Sequence, residues 1–586
     1  MKRDGKNEDK LIKFLLSHSA FILIALLILV GIFLRIFLLD KVPPGPNWDE
    51  ASAGYNALTI ARTGLDEWGT KLPTSFPAFG DYKNALHIYS TALVVKFFGL
   101  NLFTSRIFAA LIGSSLIVIW YQVSFSIFKK KFLSLMTALF VTFSPFGIFF
   151  SRIGDDGFIM SSFFVSLGLL FEIFYIEKHR DRDFFLSTLF FILAVFSYDV
   201  ARIISPALIL GIFIINFAAV KKSIRSFLGP LLLCIICFFI LLNKTNIGAF
   251  QSLQYAGIFG DKKSIVLETQ EFRQDDKNGL LSRIFHNKAT FLAIALGKNY
   301  LAHFGSDFLV NFKELDIVAE SLYAPLHIVM LPFYYYGLFI LLLELTRKKK
   351  RLAIILLIIL ALVVPIPSAI TESAPDSHRY VGSIGITELI VALGLYETYR
   401  HILVLKGKKW SNNLLIIFFA AYLLSIVFFL RSFFFLYPKS YGKIYASGEQ
   451  LIGQTIKKNY SSYDRFIYSK NITLFPYIYP LYYLQFDPEK YWSTRKFSKR
   501  QDGWYSVDGF DKFIFPDKID SSIITKRSKN TNKIMLFLSQ SEVAQMGEIK
   551  KYKGVKAATS TRYVNLMTHS GEKELYTITI TYENNQ

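Results

Sequence analysis

"FILIALLILVGIFLRIFLL" (Phe21–Leu39) runs through a short Asp-Lys-Val-Pro-Pro link into "GPNWDEASAGYNALTIARTG" (Gly45–Gly64). The first stretch is apolar for long enough to cross roughly 30 Å of hydrocarbon. The second sets Asp49 and Glu50 beside a tryptophan. Ala53, Ala57, Leu58, Ile60 and Ala61 then fall on one face of a helix that Asp49 opens. Two acids at a membrane edge need a physical reason: a solvated loop, a helix cap or a reaction centre.

The first run is one of many. The chain of 586 residues is 52% hydrophobic, and the apolar residues come in uninterrupted runs of about 18 to 25 rather than scattered among charges. "RLAIILLIILALVVPIP" (351–367) is a second example. This pattern is that of a polytopic α-helical membrane protein. The first run is too long for a signal peptide and no small-residue cleavage site follows it, so it is expected to be retained. A formal charge of +22 would suggest nucleic acid in a soluble protein; in a membrane protein it reflects basic loops on the cytoplasmic side, and no nucleic-acid partner is expected. Cys234 and Cys237 lie inside an apolar run, which leaves no disulfide framework and only a weak redox motif.

The basic clusters fix a topology. They are Met1–Lys13, Lys129–Lys131, Lys178–Arg182, Lys221–Arg225, Arg347–Arg351 and Arg400–Lys409. Placed inside the cell, they pair the apolar runs, provided Ala85–Gly99, which is short for a span, is only partly embedded. The spans are then 19–39, 104–128, 132–150, 157–176, 184–199, 201–219, 225–242, 323–345, 352–370, 380–399 and 412–434. That is about eleven helices in the cytoplasmic membrane, N-terminus inside and C-terminus outside. The outer loops include 40–103, "SRIGDDGF" (151–158), "SYDVAR" (197–202), 243–322 and "TESAPDSHRY" (371–380). From Tyr437 the composition turns mixed. "DRFIYSK", "KIMLFLS" and "ELYTITITY" read as strands and "SEVAQMGEIKKY" as a helix, giving a soluble α/β domain over 437–586 behind a membrane domain over 1–436.

This topology collects the polar chemistry on the outer face: Asp49, Glu50, Asp81, Lys83, Asp155, Asp156, Asp199, Arg202, His378 and Arg379. Charged groups at membrane depth are costly and point to function. Asp49 fits an N-cap and a general base equally well, because an apolar setting raises a carboxyl toward the working range. The Asp155–Asp156 pair has the same two readings. Lys83 suits a phosphate as a point charge, and Arg379 as a bidentate fork or as a snorkelling interfacial residue. His378 is a hydrogen-bond donor to a phosphate or an ordinary loop residue. No Gly-rich phosphate loop, H-E-x-x-H or dinucleotide fingerprint occurs, so a soluble nucleotide-activated donor is not expected.

Three stretches carry a resemblance: "NWDEASAGYNALTIARTGLDEWGTKLPTSFPAFGDYKNALHIY", "FGLNLFTSRIFAALIGS" and "SPFGIFFSRIGDDGF". They resemble bacterial lipid-linked-sugar glycosyltransferases of the GT-C superfamily, nearest to glycosyltransferase family 39, the protein O-mannosyltransferase and aminoarabinose transferase group. The likeness continues through "SYDVARIISPALIL", "HRYVGSIG" and "YPKSYGKIYASGEQLIGQTIKKN" and covers most of 40–460. It implies a helical bundle with two juxtamembrane helices in the first outer loop. It also implies inverting sugar transfer from a polyprenyl phosphate to a protein, lipid or glycan hydroxyl in the cell envelope, protein glycosylation included. The family's first-loop acid, the general base, falls on Asp49 with Glu50 beside it, and its second acid on Asp155 or Asp156. Its acid-x-Lys-Pro-Pro element falls on Asp81 and Lys83, with both prolines lost, and its phosphate-contacting His-Arg on His378–Arg379. No metal or other cofactor is implied, although a divalent ion is compatible with the family. The rivals are a non-catalytic lipid-linked glycan transporter and an inactive relative. Transporters show broken helices and midplane charges, whereas these spans read as uninterrupted.

Overall fold

The computed structural model describes residues 19–220, 225–241, 258, 269–273, 279, 284–310, 324–346, 351–440, 447–499, 504–519, 531–546, 555–568 and 571–582. The basic N-terminal segment, 221–224, 347–350, most of the second long loop and the latter half of the helix expected over "SEVAQMGEIKKY" lie outside the described residues. The chain folds as two compact units, one of residues 1–37, 109–151 and 157–432, the other of 38–108, 152–156 and 433–586.

The first unit is helical. A helix stands at the place of each expected span, and among the described residues five are long and apolar enough to cross a membrane: Leu102–Phe128, Phe158–Lys178, Ile328–Thr346, Arg351–Ala369 and Lys408–Leu436. The expected helix over 132–150 is broken into Lys131–Thr142 and Pro145–Phe150. Pro145 cannot donate a backbone N–H and disfavours helical geometry at Ser144, whose Oγ instead accepts from Gly147 N at 3.1 Å. The break leaves carbonyls that need donors. Arg35, 1% exposed, supplies them, reaching Val141 O at 3.1 Å and Thr142 O at 3.3 Å. A charge inside the apolar run "FLRIF" thus closes a helix end. The run 352–370 breaks in the same way, around Pro365, into Arg351–Val363 and Ile366–Ala369. The expected helix over 380–399 starts as a 3₁₀ turn, His378–Ser383, before Ile386–Lys406.

The second unit holds a seven-stranded sheet in the order β4-β5-β6-β3-β7-β9-β8. Its strands are β3 (Arg465–Tyr468), β4 (Lys496–Lys499), β5 (Tyr505–Phe510), β6 (Phe513–Ile514), β7 (Lys533–Ser539), β8 (Val555–Thr568) and β9 (Gly571–Tyr582). The central β3 runs parallel to both β6 and β7. β7 is buried along nearly its whole length, as a strand covered on both faces must be, which is why "KIMLFLS" runs apolar instead of alternating. A separate hairpin of β1 (Ser75–Ala78) and β2 (Asp81–Asn84) belongs to the first loop.

The first loop falls in the same compact unit as the C-terminal sheet. The helix Trp48–Thr63 is small-residue-rich and buried at every position from Glu50 to Thr59, so it needs cover on more than one face. Its Ala51, Tyr55, Ala57 and Leu58 share one core with Ile88, Phe466, Tyr468, Tyr479, Tyr491 and Phe537. Polar ties reinforce this packing. Fully buried Glu67 accepts from Tyr477 Oη at 2.7 Å, and its backbone carbonyl accepts from Trp492 Nε1 and Arg495 Nη1, each at 2.9 Å. Burial pushes the Glu67 carboxyl up to about 7, against the hydrogen bond from Tyr477.

Candidate active site

The helix Trp48–Thr63 is capped by Asn47, whose Oδ1 accepts from Glu50 N at 2.7 Å, and ends at Gly64 with φ 73°. The sequence suggested an acid for the cap. With Asn47 in that place, Asp49 and Glu50 fall in the first turn, where the helix dipole favours negative charge and both side chains are released for other partners.

Those partners differ completely. Glu50 has no exposed surface, and neither does Arg106. Arg106 Nε lies 2.5 Å from Glu50 Oε1 and Nη2 donates to Oε2 at 2.7 Å, a bidentate pair. Arg106 Nη1 donates to the carbonyls of Leu39 at 3.0 Å and Pro43 at 2.7 Å. Glu50 Oε1 also accepts from Gly154 N at 2.8 Å, and Gly154 O lies 3.0 Å from His87 Nε2. A side chain at residue 154 has no room, because its Cβ would stand 2.6 Å from Ser105 O and 3.0 Å from Glu50 Oε1. Just before it, fully buried Arg152 donates to Val42 O at 2.8 Å and stacks its guanidinium over Phe434, 5.1 Å from the ring centroid. The turn 152–156 is therefore pinned through the Arg152 side chain and both backbone polar groups of Gly154.

Pinned this way, the turn delivers Asp155 and Asp156 to Lys83. Lys83 sits on β2, opposite Phe76 of β1. Its Nζ lies 2.5 Å from Asp49 Oδ1 and 2.8 Å from Asp156 Oδ1. Asp155 Oδ2 accepts from Asn47 Nδ2 at 3.0 Å and its Oδ1 from Asp156 N at 2.8 Å. Asn47 thus joins the helix cap to the second acid. Three carboxylates face one ammonium, leaving an excess of negative charge. Burial disfavours the Lys83 charge, but Asp156, Asp49 and Asp155 overcome it and hold its pKa well above the usual lysine range. Burial first, then the Asp49 charge, raises Asp155 to about 6 despite Lys83 and Asn47. Burial also carries Asp156 well above the usual carboxylate range. The Lys83 side chain is 8% exposed, while Asp49 and Asp156 keep 27% and 24%, so a ligand reaches the cluster through its acids. Among the described residues no group of three His, Cys, Asp or Glu is arranged to hold a metal ion; Lys83 occupies the position between these carboxylates.

Asp49, Glu50, Lys83, Asp155 and Asp156 thus come together. Asp81 shares a strand face with Lys83, and its Oδ1 accepts from Tyr82 N at 2.7 Å. His378 and Arg379 belong to the other unit. There Arg379 Nη1 donates to Asp376 Oδ2 at 2.5 Å and to Ser373 Oγ at 3.2 Å, and His378 Nδ1 lies 3.4 Å from Asp376 Oδ1. Burial alone would raise the Asp376 carboxyl, but His378 and Arg379 hold it down to about 2. Asn47, Arg106, Arg152, Gly154 and His87 escaped the sequence reading. Arg106, entering the apolar run of "LFTSRIFAALIGS", was the one with a visible signal, since a charge there requires a buried partner.

No protein-family model matches the chain, and a search of curated proteins found no match. Solved structures do match in fold. ArnT from Cupriavidus metallidurans in the apo state superposes with TM-score 0.51 at 13% identity, over 96% of this chain and 98% of that one. The same enzyme bound to undecaprenyl phosphate gives TM-score 0.50 at 12% identity over the same shares. The archaeal oligosaccharyltransferase AglB from Archaeoglobus fulgidus, in complex with an inhibitory peptide and a dolichol-phosphate, gives 0.50 at 11%, over 98% of this chain and 75% of that one. The chain shares the fold of these solved structures, a helical bundle in which five described helices are long and apolar enough to cross a membrane, followed by a C-terminal sheet domain.

Proposed function

We propose that the chain is a membrane glycosyltransferase that moves a sugar from a polyprenyl phosphate to an acceptor hydroxyl on the outer face of the cytoplasmic membrane, with inversion. The observation that carries this reading is the Asp49–Lys83–Asp156 cluster at the first turn of the first-loop helix, in a fold shared with an enzyme bound to undecaprenyl phosphate. Lys83 exchanges Asp49 for the donor phosphate, which frees Asp49 as general base. The acceptor O–H gives its proton to Asp49 as its oxygen bonds to the anomeric carbon. The bond from that carbon to the phosphate oxygen breaks, and its electron pair leaves on the polyprenyl phosphate, stabilised by Lys83. Asp155 and Asp156 hold Lys83 and orient the acceptor. Glu50, walled in by Arg106, anchors the turn and exchanges no proton with substrate.

Incubating the purified protein with a panel of polyprenyl-phosphate sugars tests this directly. Transfer from at least one donor is expected, with loss in Asp49→Asn. A variant that transfers as well as wild type removes Asp49 as the base, and a wild type that uses no lipid-linked donor removes the enzymatic reading. For orientation, a cysteine placed near Lys130 is expected to escape a label confined to the outside.

A further inference from the structure

β1 and β2 are joined by only two residues, Phe79 and Gly80, since Ala78 pairs with Asp81. Both have positive φ, 57° and 94°. Two-residue turns with φ above zero at both positions favour Asn-Gly or Asp-Gly, because a larger side chain is strained there. A phenylalanine kept at such a place is held for its side chain, and strain of this kind gathers at functional sites. Phe79 lies 4.3 Å from Phe475 between ring centroids and 6.5 Å from Trp48, and the Trp48 and Phe475 planes meet at 90° and 5.4 Å. The three rings come from different places. Trp48 immediately precedes Asp49 on the helix, Phe79 tips the hairpin that bears Lys83, and Phe475 comes from the loop after β3. All three stay only partly buried, while Phe76, Tyr477 and Tyr479 in the same cluster are fully enclosed.

We infer that Trp48, Phe79 and Phe475 form an aromatic corner that receives a pyranose ring of the acceptor, so that the acceptor is a glycan. The inference rests on the glycosyltransferase reading above and names its acceptor class. A pyranose presents apolar C–H faces, which pack on aromatic rings, and a rim of hydroxyl donors, which need acceptors. The partly exposed carboxylates of Asp49 and Asp156 are such acceptors, and the general base then meets a hydroxyl of the ring the corner holds.

Saturation-transfer NMR on the full-length protein in detergent, with a panel of methyl pyranosides as probes, tests the corner. Wild type is expected to bind at least one. Phe475→Leu keeps apolar volume without the aromatic face, and Phe79→Asn gives the turn the residue it favours. Both are expected to lose at least about tenfold in affinity, and Phe79→Asn to stay folded, since Asn accepts φ 57°. Asp49→Asn is expected to lose transfer. Full binding by Phe475→Leu overturns the inference, as does wild type that binds Ser/Thr peptides or polyprenol but no pyranoside. Pyranoside binding that falls in both aromatic variants, in a protein that transfers from no lipid-linked donor, upholds the corner and fails the transferase reading alone.

Discussion

Glu50 and Asp49 are neighbours on one helical turn, paired with Arg106 and Lys83 from elsewhere in the chain, and the two pairs are opposite in setting. Glu50 and Arg106 show no exposed side-chain surface, and their hydrogen bonds are spent on each other and on backbone groups of the first loop and of Gly154. Asp49 keeps 27% of its side chain exposed, and Lys83 faces more negative charge than it neutralises. A buried pair with every donor satisfied has nothing left for a ligand, and breaking it strands a charge. A partly open cluster with excess charge can exchange partners at small cost to the fold. The difference separates a sealed pair from an open one.

Four measurements sharpen or break that contrast, beginning with the largest effect. Asp49→Asn is expected to lower the transfer rate by roughly 10²- to 10⁴-fold with little change in Tm; a large fall in Tm with activity retained would exchange the two roles. Arg106→Leu is expected to cost about 3–5 kcal/mol of stability, because Glu50 becomes an unpaired buried charge; urea denaturation of the wild type and variant measures it. Gly154→Ala forces a Cβ to within 2.6 Å of Ser105 O and is expected to cost about 1–3 kcal/mol. Because the turn then shifts Asp155 and Asp156, kcat is expected to fall even in the fraction that stays folded.

The fourth measurement uses pH. The native state keeps the Asp155 proton up to about pH 6, whereas an unfolded carboxyl gives it up near 4. Between these values the native state binds more protons, so stability falls as pH rises through this window. Asp155→Asn is expected to flatten that slope, by no more than about 3 kcal/mol, when Tm is followed from pH 4 to pH 7. A slope that is unchanged would mean that Asp155 is not held above its ordinary range.

Much of this was legible in the residues. Uninterrupted apolar runs announced spans, because hydrocarbon length sets helix length, and "DEASAGYNALTIARTG" announced a helix by its face. Helix breaks at Ser144 and Pro365 were written in prolines, but inside apolar runs they were easy to pass over. The cap was misplaced because Asn47 and Asp49 are equally good N-cap types two residues apart, and only backbone geometry chooses between them. Arg35 and Arg106 stood in plain view in apolar runs, yet their partners lie far away in sequence, at Val141 and Thr142 for one and Glu50 for the other.

The sequence by itself determined that this is a membrane protein with a mixed C-terminal domain, and that acids cluster in its first loop, since length, hydropathy and local pattern act over a few turns of chain. Only the tertiary structure decided which acid is sealed and which is open, because burial depends on what arrives from elsewhere. Arg106, the pinned Gly154 turn and the sheet core packed on Tyr55 and Leu58 are contributions from distant segments. Neighbouring residues with the same chemistry thereby acquire opposite settings.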